Sequence, residues 1–304
     1  MHDDEVVTTT EQIHRLVRAQ FPAWADLPVT PMPVGGTDHG LYRLGETMVV
    51  RLPRIAWAVD QVASDSRWLG ELASRLPLAV PVAVGVGVPG EGYPWPWLIV
   101  GWLAGENPRP GQWDLRQGAV DLARFIVALE SIDAGEGPRP VEGGRGAPLE
   151  QRDGQTRAAI RACGDRIDSA GVTAVWEDAL AAPAWGGAPT WVHGDLSAGN
   201  LLVRDGRLSG VIDFGGLAVG DPAVDLMPAW SLFDSVTRPL FRACVGGDDA
   251  TWRRGRGWAV STAVIAIPYY WETYPGLVQE SLRKLDEVLA DEDHPRLQAP
   301  VRER

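Results

Sequence analysis

The sequence predicts an α+β fold in two parts, a small N-terminal part of strands and helices and a larger, mainly helical C-terminal part. The chain has 304 residues, more than one core holds, since single cores stop growing near about 250 to 300 residues. Apolar residues alternate between helical and strand spacing as far as residue 105 and keep mainly helical spacing beyond it. We therefore expect one lobe over 1–105, a connector near 98–106 and a second lobe over 106–304.

Thr8-x-x-Glu11 has the form of a capping box ahead of Ile13, Leu16, Val17 and Phe21, whose spacing marks an amphipathic helix. Val29–Val34, Gly40–Leu44 and Thr47–Leu52 read as strands, the last two joined by a turn at Gly45-Glu46. Helical spacing returns from Asp60 to Leu76 and stops at Pro77; Val80–Val88 and Trp97–Trp102 read as strands again. Helices are then expected over Trp113–Ile132, Leu149–Ile167, Val172–Ala181, Pro222–Phe233, Pro239–Cys244, Thr251–Ile267 and Leu277–Ala290. Eight of the fourteen residues from Gly135 to Pro148 are Gly or Pro, which predicts a mobile loop.

The bulk numbers exclude several classes. A formal charge of −12 speaks against nucleic acid as a partner and is compatible with a cationic one. Two cysteines make neither a disulfide framework nor a metal site. The start, Met-His-Asp-Asp-Glu, has no signal-peptide character, and the uncharged stretch 257–271 is too short to span a membrane, so a soluble cytoplasmic protein is expected. Fourteen tryptophans point to packing, with a lining for a large ligand as the alternative use of some, and Lys284 is the only lysine among 28 basic residues. The sequence carries no sign of oligomeric state.

The most informative run is Trp191-Val-His193-Gly-Asp195-Leu-Ser197-Ala-Gly-Asn200, continuing through Asp205-Gly206 to Ile212-Asp213-Phe214-Gly215. Phosphoryl transfer needs a carboxylate to orient the attacking hydroxyl, and a carboxamide with a second carboxylate to hold magnesium against nucleotide phosphates. Asp195 fits the first role; Asn200 and Asp213 fit the second. Asp205-Gly206 between two apolar runs is a hairpin signal that leaves Asn200 and Asp213 at the open ends, where one metal reaches both.

His-Gly-Asp, then Asn, then Ile-Asp-Phe-Gly, then Gly220-Asp221-Pro222-Ala-Val-Asp225-Leu226 lie within 34 residues. Together they resemble the aminoglycoside phosphotransferase family. Looser similarity covers 35–45, 49–54, 67–69 and 75–77. The resemblance implies a protein-kinase-like two-lobe fold and an enzyme using Mg²⁺ and ATP, or GTP, to phosphorylate an alcohol group. It places Gly36, Thr37 and Asp38 in a turn over the phosphates, and Val100 and Trp102 in the adenine-binding connector. Lysine, which many relatives carry in the third strand, is absent here, so Arg51 takes its place; its acidic anchor is Asp65 or Glu71. Ser197 stands where protein kinases have a lysine. His193 and Asp225 are expected to hold the catalytic loop. The acceptor is a small molecule: an aminoglycoside, or alternatively a macrolide or peptide antibiotic, or choline, homoserine or a sugar. A nucleotide-binding pseudokinase is the non-enzymatic alternative. Candidate acceptor residues are Ser197, Trp230, Asp234, Tyr269, Tyr270, Glu272 and Tyr274, the last four combining aromatic platforms with a carboxylate.

Overall fold

A computed structural model describes residues 5–32 and 38–291. The chain forms two compact units, Met1–Trp113 with Asn200–Gly215, and Asp114–Gly199 with Gly216–Arg304.

The first unit is built on a five-stranded antiparallel sheet. Helix α1 (Thr10–Gln20) precedes strands β1 (Val29–Pro31), β2 (His39–Leu44) and β3 (Met48–Pro53); α2 (Val59–Ala73), β4 (Ala83–Gly87) and β5 (Trp97–Gly101) follow, in the order β1-β2-β3-β5-β4. The helix starts one residue later than the capping-box reading requires. Thr9, not Thr8, accepts the Gln12 N–H at 3.3 Å, because the Thr8 hydroxyl bonds the Tyr42 hydroxyl at 2.8 Å. Alternation along the strands divides the sheet into two apolar faces. Tyr42, Leu44, Val50, Leu52, Trp97 and Ile99 pack with Ile13, Leu16 and Val17 of α1, whereas Val49, Leu98 and Val100 pack with Val62 of α2.

Gly87 in β4 is where the first face is tightest. A Cβ there would lie 2.0 Å from Trp97 Cε2, and the indole, which donates to Val88 O at 3.1 Å, cannot retreat without losing that bond. Gly87→Ala is expected to destabilise the chain by about 1–3 kcal/mol, read as a lower midpoint in denaturant.

The hairpin β7 (Leu201–Arg204) and β8 (Arg207–Val211) completes this unit. Its turn, Asp205-Gly206, has φ of 52° and 74°, the left-handed pair of a type I′ turn.

The second unit is mainly helical: α3 (Leu115–Ser131), α4 (Asp153–Cys163), α5 (Ser169–Ala181), α6 (Pro228–Ser231), α7 (Arg238–Val245), α8 (Asp249–Tyr270) and α9 (Pro275–Ala290), with the short pair β6 (Thr190–Val192) and β9 (Ala218–Gly220). Residues 222–226, expected as helix, are a 3₁₀ turn. Helix α8 runs past Pro268, where the sequence reading stopped it. Proline removes the N–H that would satisfy Val264 O, and the buried Cys163 thiol donates to that carbonyl at 3.5 Å instead. Trp176, Trp191, Trp230 and Trp258 are fully buried, the packing role expected of the tryptophans. Among the described residues, no helix is long and apolar enough to cross a membrane.

The Gly/Pro-rich segment 135–148 is irregular but tethered. Val219 N–H donates to Pro138 O at 2.7 Å and Asp221 N–H to Gly146 O at 2.8 Å. A Cβ at Gly137 would stand 2.4 Å from Val219 and 2.8 Å from Trp191, so the segment lies against β6 and β9. The glycines here permit close approach, which composition alone reads as mobility.

Candidate active site

In the first unit, period-2 alternation places His39, Leu41 and Arg43 of β2, Val49 and Arg51 of β3, and Leu98 and Val100 of β5 on the α2-facing side of the sheet, in register Leu41↔Arg51, Arg51↔Leu98 and Val49↔Val100. Arg51 is the polar centre of that face. Its Nη1 donates to Asp65 Oδ2 of α2 at 2.5 Å; its Nη2 donates to Gln61 Oε1 at 3.3 Å and Asp213 Oδ1 at 3.2 Å, and lies 3.5 Å from His39 Nδ1. The acidic partner is thus Asp65, one helical stretch ahead of Glu71, because α2 turns residues 62, 65, 69 and 72 toward the sheet. Burial pushes the Asp65 carboxyl up to about 6, against the pull of Arg51 and with a further push from Asp213. Burial, aided by Arg51, pushes His39 down to about 3, so its ring is neutral. Among the described residues Asp65 Oδ1 has no hydrogen-bond partner.

Asp213 and Asn200 close the same unit. Asn200 lies just before β7 and accepts the Ile212 N–H on its backbone carbonyl at 2.9 Å, fixing the hairpin's open end. Asp213 sits in the left-handed region, φ 60°, with its carboxylate half exposed and accepting the Gly215 N–H at 3.4 Å. A carboxylate and a carboxamide are hard oxygen donors, and Mg²⁺ binds through one or two such groups while keeping waters and phosphates as its other ligands. The pair therefore fits magnesium. Among the described residues no group of three or more His, Cys, Asp or Glu offers an alternative cage.

Of the remaining nucleotide candidates, Val100 is buried in β5, packed with Val49. Trp102 is partly exposed beneath the Arg43 guanidinium, 3.7 Å from its ring centroid. Asp38 precedes β2 and accepts the Arg54 N–H on its carbonyl at 2.8 Å. Gly36 and Thr37 lie outside the described residues.

The second unit holds Asp195. Behind it, the fully buried Asp225 accepts the backbone N–H groups of His193 and Gly194, both at 2.7 Å, and the buried His193 ring accepts the Asp195 N–H at 3.2 Å on Nδ1. Burial raises the Asp225 pKa, opposed by His193, those two N–H groups and Arg145. Glu130, facing Asp225 and Asp221, is pushed up to about 8 by burial and by those like charges. Asp221 is held by Arg254 at 2.7 Å and caps the Ala223 N–H at 3.0 Å.

Arg145 was not singled out by the sequence reading. Its Nη2 pairs with Asp195 Oδ1 at 3.2 Å and its Nη1 donates to Gly194 O at 2.9 Å. The only signal in the sequence was a basic residue inside a segment read as a free loop. Gln61, which accepts from Arg51 and occupies the space that a Cβ on Gly215 would need, had no signal at all.

The acceptor candidates fare unevenly. Ser197 is half-buried two residues beyond Asp195. Trp230 is fully buried, tilted against Trp252 with ring centroids 5.2 Å apart and donating to Asp291 at 3.0 Å, so it presents no surface to an acceptor. Asp234 is spent on the turn before α7, accepting from Val236 N–H, Thr237 N–H and the Thr237 hydroxyl. Tyr269 and Tyr274 are exposed, flank Tyr270 edge-on at 4.6 and 6.3 Å, and share the α8–α9 connection with the exposed Glu272.

Comparison with known proteins adds the family. Residues 30–258 match the model of the phosphotransferase enzyme family, APH. No curated protein matches. Among solved structures, the GDP complex of wild-type aminoglycoside 2′-phosphotransferase-IIIa superposes with TM-score 0.69 at 20% identity, covering 94% of this chain and 100% of that one. The macrolide 2′-phosphotransferase MphH of Brachybacterium faecium gives 0.59 at 20%, over 94% and 99%, and a type I macrolide 2′-phosphotransferase gives 0.61 at 22%, over 91% and 97%. Those likenesses establish a protein-kinase-like fold. Because the family match runs through the Arg51 strand, the Asp195 loop and the Asp213 hairpin in one piece, this chain belongs to the phosphotransferase enzyme family and is a small-molecule kinase.

Proposed function

We propose that the protein transfers the γ-phosphoryl group of ATP or GTP, with Mg²⁺, to a hydroxyl of an aminoglycoside. The carrying observation is the Asp195 carboxylate, half exposed on a loop fixed from behind by Asp225 and oriented by Arg145 at 3.2 Å. Asp195 orients the acceptor hydroxyl and takes its proton as the new P–O bond forms and the bond to the leaving nucleoside diphosphate breaks. Arg51, held by Asp65, grips phosphate oxygens with a planar fork in place of a lysine's point charge. Asn200 and Asp213 hold the metal, which when bound neutralises charge on the phosphates. Leu41, Val49 and Val100 give the adenine an apolar wall, and the lobes divide near 105. The phosphate-covering turn at Gly36 and Thr37 remains part of this proposal, as does a cytoplasmic location.

The likeness to aminoglycoside phosphotransferases and the chain charge of −12 support a cationic acceptor; the comparable likeness to macrolide enzymes supports the second reading. Kanamycin, gentamicin and erythromycin assayed side by side for nucleotide consumption, at low and high salt, separate them. A polycation held by carboxylates is turned over with a KM that rises with salt, as the Debye length shrinks from about 10 Å at 0.1 M to about 3 Å at 1 M. Turnover of the macrolide alone, indifferent to salt, rejects the aminoglycoside reading and leaves the kinase intact.

A further inference from the structure

The catalytic loop carries no cation of its own: Leu196, Ser197, Ala198 and Gly199 follow Asp195. Yet the transferred phosphoryl group arrives as an anion beside the Asp195 carboxylate, and like charges at such range repel. Two cations from distant parts of the second unit stand there. Arg145, from the segment before α4, pairs with Asp195. Lys284, on α9, is the only lysine in the chain; it is half-buried, and among the described residues it donates to the Thr262 hydroxyl at 3.4 Å. No carboxylate of the described residues comes within ion-pair distance of it. Thr262 Oγ1 and Arg145 Nη1 both approach Met227 Sδ, at 3.6 and 3.8 Å, so the two cations share one patch.

A half-buried ammonium with no described carboxylate at ion-pair distance is poorly compensated. Lys284 is held down to about 8 by burial and by Arg145, with Arg283 adding to the depression and Asp195 and Glu280 opposing it. Plain packing does not account for a cation there, since Leu or Met would fill the same space without loss of hydration. We propose that Arg145 and Lys284 form an oxyanion site beside Asp195 that receives the phosphoryl group as it lands on the acceptor hydroxyl, supplying the charge that Ser197 lacks. The proposal rests on the kinase reading for its role, while the anion site itself is testable without any acceptor.

Because Lys284 is unique, acylation by an N-hydroxysuccinimide ester labels one side chain and the chain's α-amine, resolved by peptide mapping. Inorganic phosphate is expected to slow labelling of Lys284, but not of the α-amine, by roughly tenfold when present at about ten times its Kd, since the unoccupied fraction falls as 1/(1 + [L]/Kd). Chloride at equal ionic strength gives no protection. Arg145→Gln loses the protection and Arg145→Lys, which keeps the charge, retains much of it. Equal labelling in phosphate and chloride overturns the site. Equal protection by acetate and phosphate overturns the phosphoryl assignment and leaves a site for anions of any kind. Either failure leaves nucleotide consumption by the wild-type chain, and with it the kinase reading, untouched.

Discussion

Asp195→Ala lowers kcat by ~10²- to 10⁴-fold, the range for removal of a group that orients or accepts a proton in the transition state, and leaves nucleotide affinity unchanged. The split follows from placement. Asp195 belongs to the second unit, whereas Arg51, Asp65 and Asp213, the residues proposed to serve nucleotide and metal, hold one another within the first, so those contacts remain in place when the Asp195 carboxylate is removed. Folding should survive too, because the carboxylate is half exposed and the loop is fixed through Asp225 and the His193 ring, not through Asp195. Asp195→Asn keeps the shape and a hydrogen bond but cannot take the proton, so it should resemble the alanine variant in kcat. Turnover by Asp195→Ala at the wild-type rate, measured by nucleotide consumption against the acceptor, would sink the assignment.

Arg51→Ala has the opposite signature. A hydrogen bond to a charged group contributes about 1.5–3 kcal/mol, so losing the guanidinium should raise the nucleotide KM by roughly 10- to 100-fold. Arg51→Lys recovers only part of this, since one ammonium cannot serve Asp65, Gln61 and Asp213 together. The pH dependence has a definite sign. Asp65 is raised to about 6, so its carboxylate is ionised at pH 7–8 and takes up a proton as the pH falls through about 6. Arg51 then loses its anchor, and the nucleotide KM should climb below about pH 6. Asp65→Asn should show the raised KM at every pH and flatten that step. An unaltered nucleotide KM in Arg51→Ala, or a KM flat from pH 5 to pH 8 in the wild type, excludes the role.

The order of the elements and the catalytic motif were legible because both are local. The 3.6-residue spacing of Ile13, Leu16 and Val17 makes α1 wherever the chain goes, and Asp205-Gly206 closes β7 onto β8 with no help from outside. What sequence spacing left open was which of several candidates meets a given partner. Asp65 and Glu71 lie on the same helix, and only the rotation of α2 against the sheet selects Asp65. Trp230 and Asp234 look like ligand groups in sequence, yet one fills the core and the other caps a turn. Arg145 was hidden because Gly and Pro read as freedom when seen as composition, whereas here they admit close backbone packing that sets an arginine on Asp195. Lys284 and Arg145, separated by 139 positions, come onto one patch through Thr262 and Met227. The sequence by itself therefore determined the fold class and a set of candidate residues for phosphoryl transfer; the tertiary structure decided their partners, because burial and charge pairing depend on contacts between distant segments that no local pattern encodes.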